Sequence, residues 1–253
     1  MIHWKEHAEQ IKKNFDRDGF FILRNYLNEA ETAEIGHNIE RYVTAVMPQI
    51  PSDQAYYEIK GDPQTIMRLS HMHQHDGYFQ ELLMSDSFYG LAAHLMDGAK
   101  EPNLQWFNKP ARVGKVTPPH QDGFYFMLEP NEAITLWLAV DAADEENGCI
   151  RYVPGSHRRG MRPHQRSDVL GFSQGITDFG DADCDREMAM IVQPGDLIAH
   201  HSMIIHRADA NPSDRSRSAL GFVYFAQRAV EDVARRDAYQ NQLWTEWEAE
   251  GKL

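Results

Sequence analysis

Apolar positions change their spacing near residue 100, and the change divides the chain into a helical first part and a β-rich remainder. Trp4 to Phe15 places its apolar residues on one face of a helix. Asn28-Glu29-Ala30-Glu31 resembles a capping box, in which an amide and a glutamate three residues on satisfy each other's backbone N–H groups. Between these helices, Gly19-Phe20-Phe21-Ile22-Leu23 reads as a short buried strand. Ser87 to Asp97 reads as a helix that ends at Gly98, a residue suited to the position just past a helix C-terminus. From Asn103 to Ala226 the pattern becomes short apolar or alternating runs cut by turn residues: Leu104–Asn108, Ile134–Val140, Ile150–Val153, Ala189–Val192, Leu197–His200 and Ala219–Phe225. Short strands at this spacing predict a sandwich or jelly roll. The tail, Val230 to Glu248, returns to a helical pattern with Trp244 and Trp247 three apart. The expected organisation is a single domain over residues 1–253, with a helical part (about 1–100) packed on a β core (about 103–226) and a C-terminal helix (about 230–248).

Composition narrows what such a domain does. The chain has 253 residues, 42% of them hydrophobic, enough for one large core. The N-terminal MIHWKEHAEQIKKNF has no apolar leader segment, and no run of roughly 18 uncharged apolar residues occurs, so the expectation is a cytoplasmic protein without membrane contact. A formal net charge of −13 opposes nucleic acid and anionic lipid and favours a small-molecule partner. Cys149 and Cys184 are too few for a disulfide framework and wrongly spaced for a cysteine metal site. Any metal must therefore sit on histidine and carboxylate.

His120-Gln121-Asp122 places an imidazole and a carboxylate two positions apart, on one face if the segment is extended. Two histidines and one carboxylate on one face leave a metal open positions, the arrangement used by iron(II) oxygenases. The candidates for the third ligand are His200, His201 and His206, and spacing does not choose among them. A lone His-x-Asp also arises by chance and in surface turns, and the chain has 13 histidines. The joint pattern weighs more: His-x-Asp among strands, a later histidine preceded by Pro194-Gly195-Asp196, and Arg217 eleven residues after His206.

In this ordered set the sequence resembles the phytanoyl-CoA dioxygenase family of 2-oxoglutarate-dependent oxygenases. The resemblance covers about Leu104 to Ala226, roughly half the chain. It runs through Asn108-Lys109-Pro110, His120-Gln121-Asp122-Gly123, Trp137-Leu138-Ala139-Val140-Asp141, Asn147-Gly148-Cys149-Ile150, Val153-Pro154-Gly155-Ser156-His157, and Pro194-Gly195-Asp196 through His206 to Arg217. The resemblance implies a mainly β fold with flanking helices, a double-stranded β-helix or jelly-roll, cupin-like barrel. It also implies Fe(II) held by His120, Asp122 and His206, and a 2-oxoglutarate cosubstrate anchored at its distal carboxylate by Arg217, whose guanidinium fork suits a bidentate partner. Trp137 and Gln105 match positions lining the cosubstrate pocket, and Thr135 shares the strand face of Trp137 with a hydroxyl to donate. The implied reaction consumes molecular oxygen, hydroxylates a small molecule, and releases succinate and CO2. With Asp122 present, hydroxylation is favoured over halogenation.

Other readings stand beside these. Trp137 in an apolar strand also suits a core, Arg217 after Asp214-Arg215-Ser216 also suits a charged surface, and Gln105 also suits an outward strand position. A cupin-like isomerase or hydrolase using its metal as a Lewis acid is one alternative function, and a non-catalytic ligand-binding barrel another. The first has no need of Arg217, and the second would tolerate lost ligands. Between Arg151 and Arg166 five arginines, Arg151, Arg158, Arg159, Arg162 and Arg166, occur with His157 and His164 and no acidic residue, either a solvated loop or part of a mouth for an anionic substrate. Arg68, His71, His73 and His75 are a second, weaker basic contribution. Phe124 to Met127 suit either an apolar pocket wall or a further core strand.

Overall fold

Each element of the first part is started or stopped by its own local chemistry. In the computed structural model, which describes residues 4–169 and 172–249, helix α1 (Ala8–Asp18) buries Ile11 and Phe15. It ends where Gly19 takes a φ of 82° and donates its N–H to the Phe15 carbonyl at 2.8 Å. That turn sends the chain into strand β1 (Phe20–Leu23). Helix α2 (Glu29–Arg41) opens on the expected capping box of Asn28 and Glu31. Strands β2 (Ala55–Tyr57) and β3 (Ile66–Leu69) follow, then helices α3 (Gly77–Met84) and α4 (Leu91–Leu95). Residues 1–3, part of the N-terminal stretch read above, and residues 170–171 and 250–253 lie outside the described residues.

The β-rich part begins with β4 (Ala99–Lys109), β5 (Thr117–His120), the helical turn α5 (Gly123–Phe126), β6 (Leu128–Glu129), β7 (Ala133–Ala139) and β8 (Ile150–Tyr152). After these come β9 (His164–Val169), β10 (Phe172–Ile176), the turn α6 (Asp181–Cys184), β11 (Met188–Ala189), β12 (Leu197–His201), β13 (His206–Ala208) and β14 (Arg217–Ala226). The short β15 (Val230–Glu231) leads into helix α7 (Val233–Ala249). Among the described residues, a larger antiparallel sheet runs β1-β12-β7-β14-β4-β3-β2 and a smaller one β11-β8-β13-β5. Facing each other, they make a double-stranded β-helix, a jelly-roll barrel with flanking helices.

Two apolar layers explain the near-continuous hydrophobic runs of β7 and β14, which are covered on both faces. Leu136, Leu138, Leu220, Phe222 and Tyr224 point outward into a core shared with α1 to α4. Trp137, Ala139, Ala219 and Ile198 point inward and meet Ile150 and Tyr152 of the smaller sheet and Ile204 of the turn before β13. The part read as helical therefore supplies three strands as well. Only β1 was legible beforehand, because it is an unbroken apolar run, whereas β2 has three residues and Arg68 interrupts β3. At the other end, α7 lies across the β9–β10 hairpin and β2–β3: the Tyr239 and Ser173 hydroxyls are 2.5 Å apart, Arg166 pairs with Glu246 at 2.8 Å, and Trp247 packs on Tyr56 and Met67.

Candidate functional site

Strand register brings the two outer members of the triad together. His120 ends β5 and His206 begins β13, and the antiparallel ladder pairs them directly, with ring centroids 4.2 Å apart. Asp122 arrives differently from the extended segment expected. The strand stops at His120, and Asp122 takes helical φ and ψ of −55° and −33° as it opens α5. Buried Gln121 holds this bend, its amide donating to the Met203 carbonyl at 2.8 Å and the Gly160 carbonyl at 3.1 Å while its carbonyl accepts from the Arg162 N–H at 2.8 Å. Gly123 has no room for a side chain, because a Cβ there would lie 2.4 Å from the Asn131 Oδ1 atom.

Ligand atoms of His120, Asp122 and His206 lie within 4.8 Å of one another. Asp122 Oδ1 is 3.4 Å from His120 Nε2 and 3.7 Å from His206 Nε2. Each imidazole donates its Nδ1–H to a backbone carbonyl, His120 to Pro118 at 2.8 Å and His206 to Ile204 at 3.1 Å, so both Nε2 lone pairs face the carboxylate. Burial, assisted by neighbouring His120, pushes His206 down to about 3, which keeps it in the neutral form that a metal requires. Burial works against the Asp122 charge, but the imidazoles around it outweigh that and hold its carboxyl well below the usual range. Two imidazoles and one carboxylate, converging with both Nε2 atoms inward, fit a divalent transition metal with open coordination positions.

The other two histidine candidates go elsewhere, because adjacent residues on a strand point to opposite faces. His200 points inward, its Nε2 3.1 Å from Asp122 Oδ2 and its Nδ1 2.8 Å from the Tyr152 hydroxyl. His201 points outward against Phe15 and His157, and accepts from the Met203 N–H at 3.0 Å. Thr135 Oγ1 lies 3.4 Å from Asp122 Oδ2, so its hydroxyl meets the carboxylate. Tyr152 was not among the residues singled out, although alternation along Ile150–Val153 already puts it on one face with Ile150.

Arg217 opens β14 on the inner face, 6% exposed, and its Nε and Nη1 have no hydrogen-bond partner. A charged surface position is thus excluded for it. Burial pushes the guanidinium down to about 10, and it stands 5.4 Å from the centre of the Trp137 ring. It borders a cavity of about 30 Å³ that also touches Arg68, Phe107, Lys109 and Thr117, more than the roughly 10–15 Å³ a single water needs. Gln105 is half-buried on β4, and the register sets it in one row with Gly221 and Trp137 across the sheet. A Cβ at Gly221 would come within 2.6 Å of the Phe107 ring, so glycine makes room for that ring against the wall.

Two residues past Asp122, Phe124 stacks on His164 at 4.7 Å and meets Tyr239 of α7 edge-on at 6.1 Å. The stretch Phe124 to Met127 is therefore a helical turn and its sequel, not a strand. In the basic segment, Arg151 pairs with Glu145 and Asp209, Arg162 with Asp178 and Asp183, and Arg166 with Glu246. These three arginines are paired with acidic residues that lie outside the segment. Among the described residues, no helix is long and apolar enough to cross a membrane.

The same arrangement of elements occurs in characterised proteins. EvdO2 from Micromonospora carbonacea var. aurantiaca, crystallised with 2-oxoglutarate, superposes with a TM-score of 0.69 at 25% identity, covering 92% of this chain and 94% of that one. The epimerase SnoN, in complex with Fe3+, alpha ketoglutarate and nogalamycin RO, superposes at 0.71 with 20% identity over 92% of this chain and 90% of that one. By sequence, a phytanoyl-CoA dioxygenase domain-containing protein 1 homolog of Caenorhabditis briggsae is 23% identical over 257 aligned positions, 83% of this chain and 88% of that protein. The family model for phytanoyl-CoA dioxygenase matches residues 15–219, most of the barrel and both histidines of the triad included, and the chain belongs to that family.

Proposed function

We propose that the chain is an Fe(II)- and 2-oxoglutarate-dependent dioxygenase that hydroxylates a small molecule, using molecular oxygen and releasing succinate and CO2. The observation that carries this reading is Arg217, a buried guanidinium with two unpartnered nitrogens on the inner face of the larger sheet, across the barrel from the sheet that carries His120 and His206. An unpaired buried charge costs several kcal/mol and is retained where a ligand completes it. A dicarboxylate matches its fork. A Lewis-acid barrel has no need of such a group, and a non-catalytic binding barrel would tolerate lost ligands, whereas His120, Asp122 and His206 are all present.

In this reading His120, Asp122 and His206 hold the iron through two Nε2 atoms and one carboxylate oxygen. Arg217 takes the distal carboxylate of 2-oxoglutarate, and Trp137 and Gln105 line the space between. Bound iron supplies, with cosubstrate and oxygen, the oxidising power for the substrate C–H bond. The protein fixes the positions of the reacting partners and excludes water through Trp137, Phe107 and Ile198. Asp122 occupies the coordination position that a halide would need, which favours hydroxylation. The substrate enters beside Phe124, Tyr125 and Tyr239, an aromatic wall that suits an apolar portion of a small molecule.

Anaerobic addition of Fe(II) and then 2-oxoglutarate tests the reading without a substrate. The wild type is expected to develop the weak visible charge-transfer band of a chelated complex, and Arg217→Ala to require far more 2-oxoglutarate for the same band. Iron binding with no band at any concentration would sink the proposal.

A further inference from the structure

The two oxygens of Asp122 face different partners. Oδ1 lies toward both ligand imidazoles, at 3.4 and 3.7 Å, whereas Oδ2 meets His200 Nε2 at 3.1 Å and the Thr135 hydroxyl at 3.4 Å. His200 is itself held from behind by the Tyr152 hydroxyl at 2.8 Å from Nδ1. An ionised carboxylate oxygen only accepts, so the proton between His200 Nε2 and Oδ2 belongs to the ring, and the Tyr152 hydroxyl is the donor to Nδ1. Nδ1 then accepts, and the ring proton sits on Nε2, directed at Oδ2.

The chain of contacts also spans the barrel. His200 belongs to β12 of the larger sheet and Tyr152 to β8 of the smaller one, and Tyr152 is fixed by stacking on Phe20 at 4.8 Å and 18°. All three side chains are buried. The row Phe20, His200, Thr135 on one sheet thus faces the row Tyr152, His206, His120 on the other, with Asp122 between them.

We infer that His200, oriented by Tyr152, is a positioning residue that makes Asp122 a one-oxygen ligand by occupying its second oxygen. This rests on the metal-binding reading of the triad. Its consequence is chemical: a carboxylate that chelated through both oxygens would consume a position needed for a bidentate keto acid together with oxygen. Hydrogen bonds to ligating carboxylates also orient them and set metal affinity.

Cobalt(II) titration of the apo protein, followed by its visible ligand-field spectrum, tests this without turnover. His200→Phe is expected to weaken cobalt binding about 10- to 100-fold and to alter the spectrum. His200→Gln, whose amide still donates to Oδ2, recovers most of both. Tyr152→Phe causes a smaller loss, and adds nothing when combined with His200→Phe, because the two act through one path. Thermal unfolding of each apo variant separates a lost contact at the metal from a damaged barrel, and the near-isosteric Tyr152→Phe carries the test if His200→Phe fails to fold. Unchanged cobalt affinity in His200→Phe or in Tyr152→Phe overturns the inference, as does a glutamine variant no better than phenylalanine, which would mark His200 as a ligand or a packing group. Wild type that binds no cobalt overturns it together with the metal site. Wild type that binds cobalt and shows the variant pattern, yet gives no band with Fe(II) and 2-oxoglutarate, supports the positioning role and removes only the oxygenase reading.

Discussion

The two faces of β14 show how one strand serves two purposes. Its outward residues, Leu220, Phe222 and Tyr224, are buried against the helices, with Phe222 stacked on Phe88 at 4.0 Å and the Tyr224 hydroxyl donating to the Leu83 carbonyl at 2.7 Å. Over its first half the inward residues, Arg217, Ala219 and Gly221, are either small or charged. The outer face maximises apolar contact, while the inner one gives up packing for space and for an unpaired cation. Stability and chemistry are separated by the two-residue period of the strand.

Outer and inner substitutions should therefore act in opposite ways. Truncating the outer face gives the largest effect: Phe222→Ala should lower unfolding free energy by about 3–5 kcal/mol in urea denaturation. The folded fraction should retain wild-type 2-oxoglutarate affinity. A loss under about 1 kcal/mol would mean that the helical layer contributes little to the barrel. On the inner face, Arg217→Met should raise the 2-oxoglutarate requirement by about 2–3 kcal/mol, roughly 30- to 150-fold, as expected for lost charge-assisted hydrogen bonds. The same variant should leave the apo protein as stable as wild type or more so, because it removes a buried charge without a partner. Apo destabilisation comparable to that of Phe222→Ala would erase the distinction between the faces.

An effect visible only as a pH dependence concerns Lys109, which the register pairs with Arg217 and whose ammonium donates to the Lys115 carbonyl. Burial, and then the charge of Arg217, pushes Lys109 down to about 7 from an ordinary 10.5. Between those values the unfolded chain holds a proton that the folded one has released, so stability rises with pH across that window and is lower by a constant amount below it. Lys109→Met should flatten that slope. Denaturation midpoints at pH 7 and pH 10 compare the two proteins, and an unchanged slope would show that Lys109 titrates normally.

Legibility in the sequence followed the length and regularity of each element. The runs Ile134–Val140 and Ala219–Phe225 were readable because they are long and apolar, and the Asn28 box because capping is local chemistry. Strands β5 and β13 were not, the first containing Pro118 and Pro119 and the second only three residues long, yet they carry His120 and His206. Such strands exist because neighbours pair with them, and no local preference announces that. Resemblance to a family, rather than spacing, distinguished His206 from His200 and His201 in the sequence.

What the sequence determined by itself was the inventory: the alternation that assigns faces, the absence of a cysteine metal site, and the ordered motifs that place the chain among oxygenases. The basic character of Arg151 to Arg166 belonged to that inventory too, but the fold brought Asp178, Asp183, Asp209 and Glu246 to it from far along the chain. Only the tertiary structure decided that Arg217 is buried, that Asp122 turns out of the strand, and that His200 and Tyr152 meet behind it. Each of these depends on contacts across the two sheets, and long-range contacts are set by the packing of the whole barrel rather than by any segment within it.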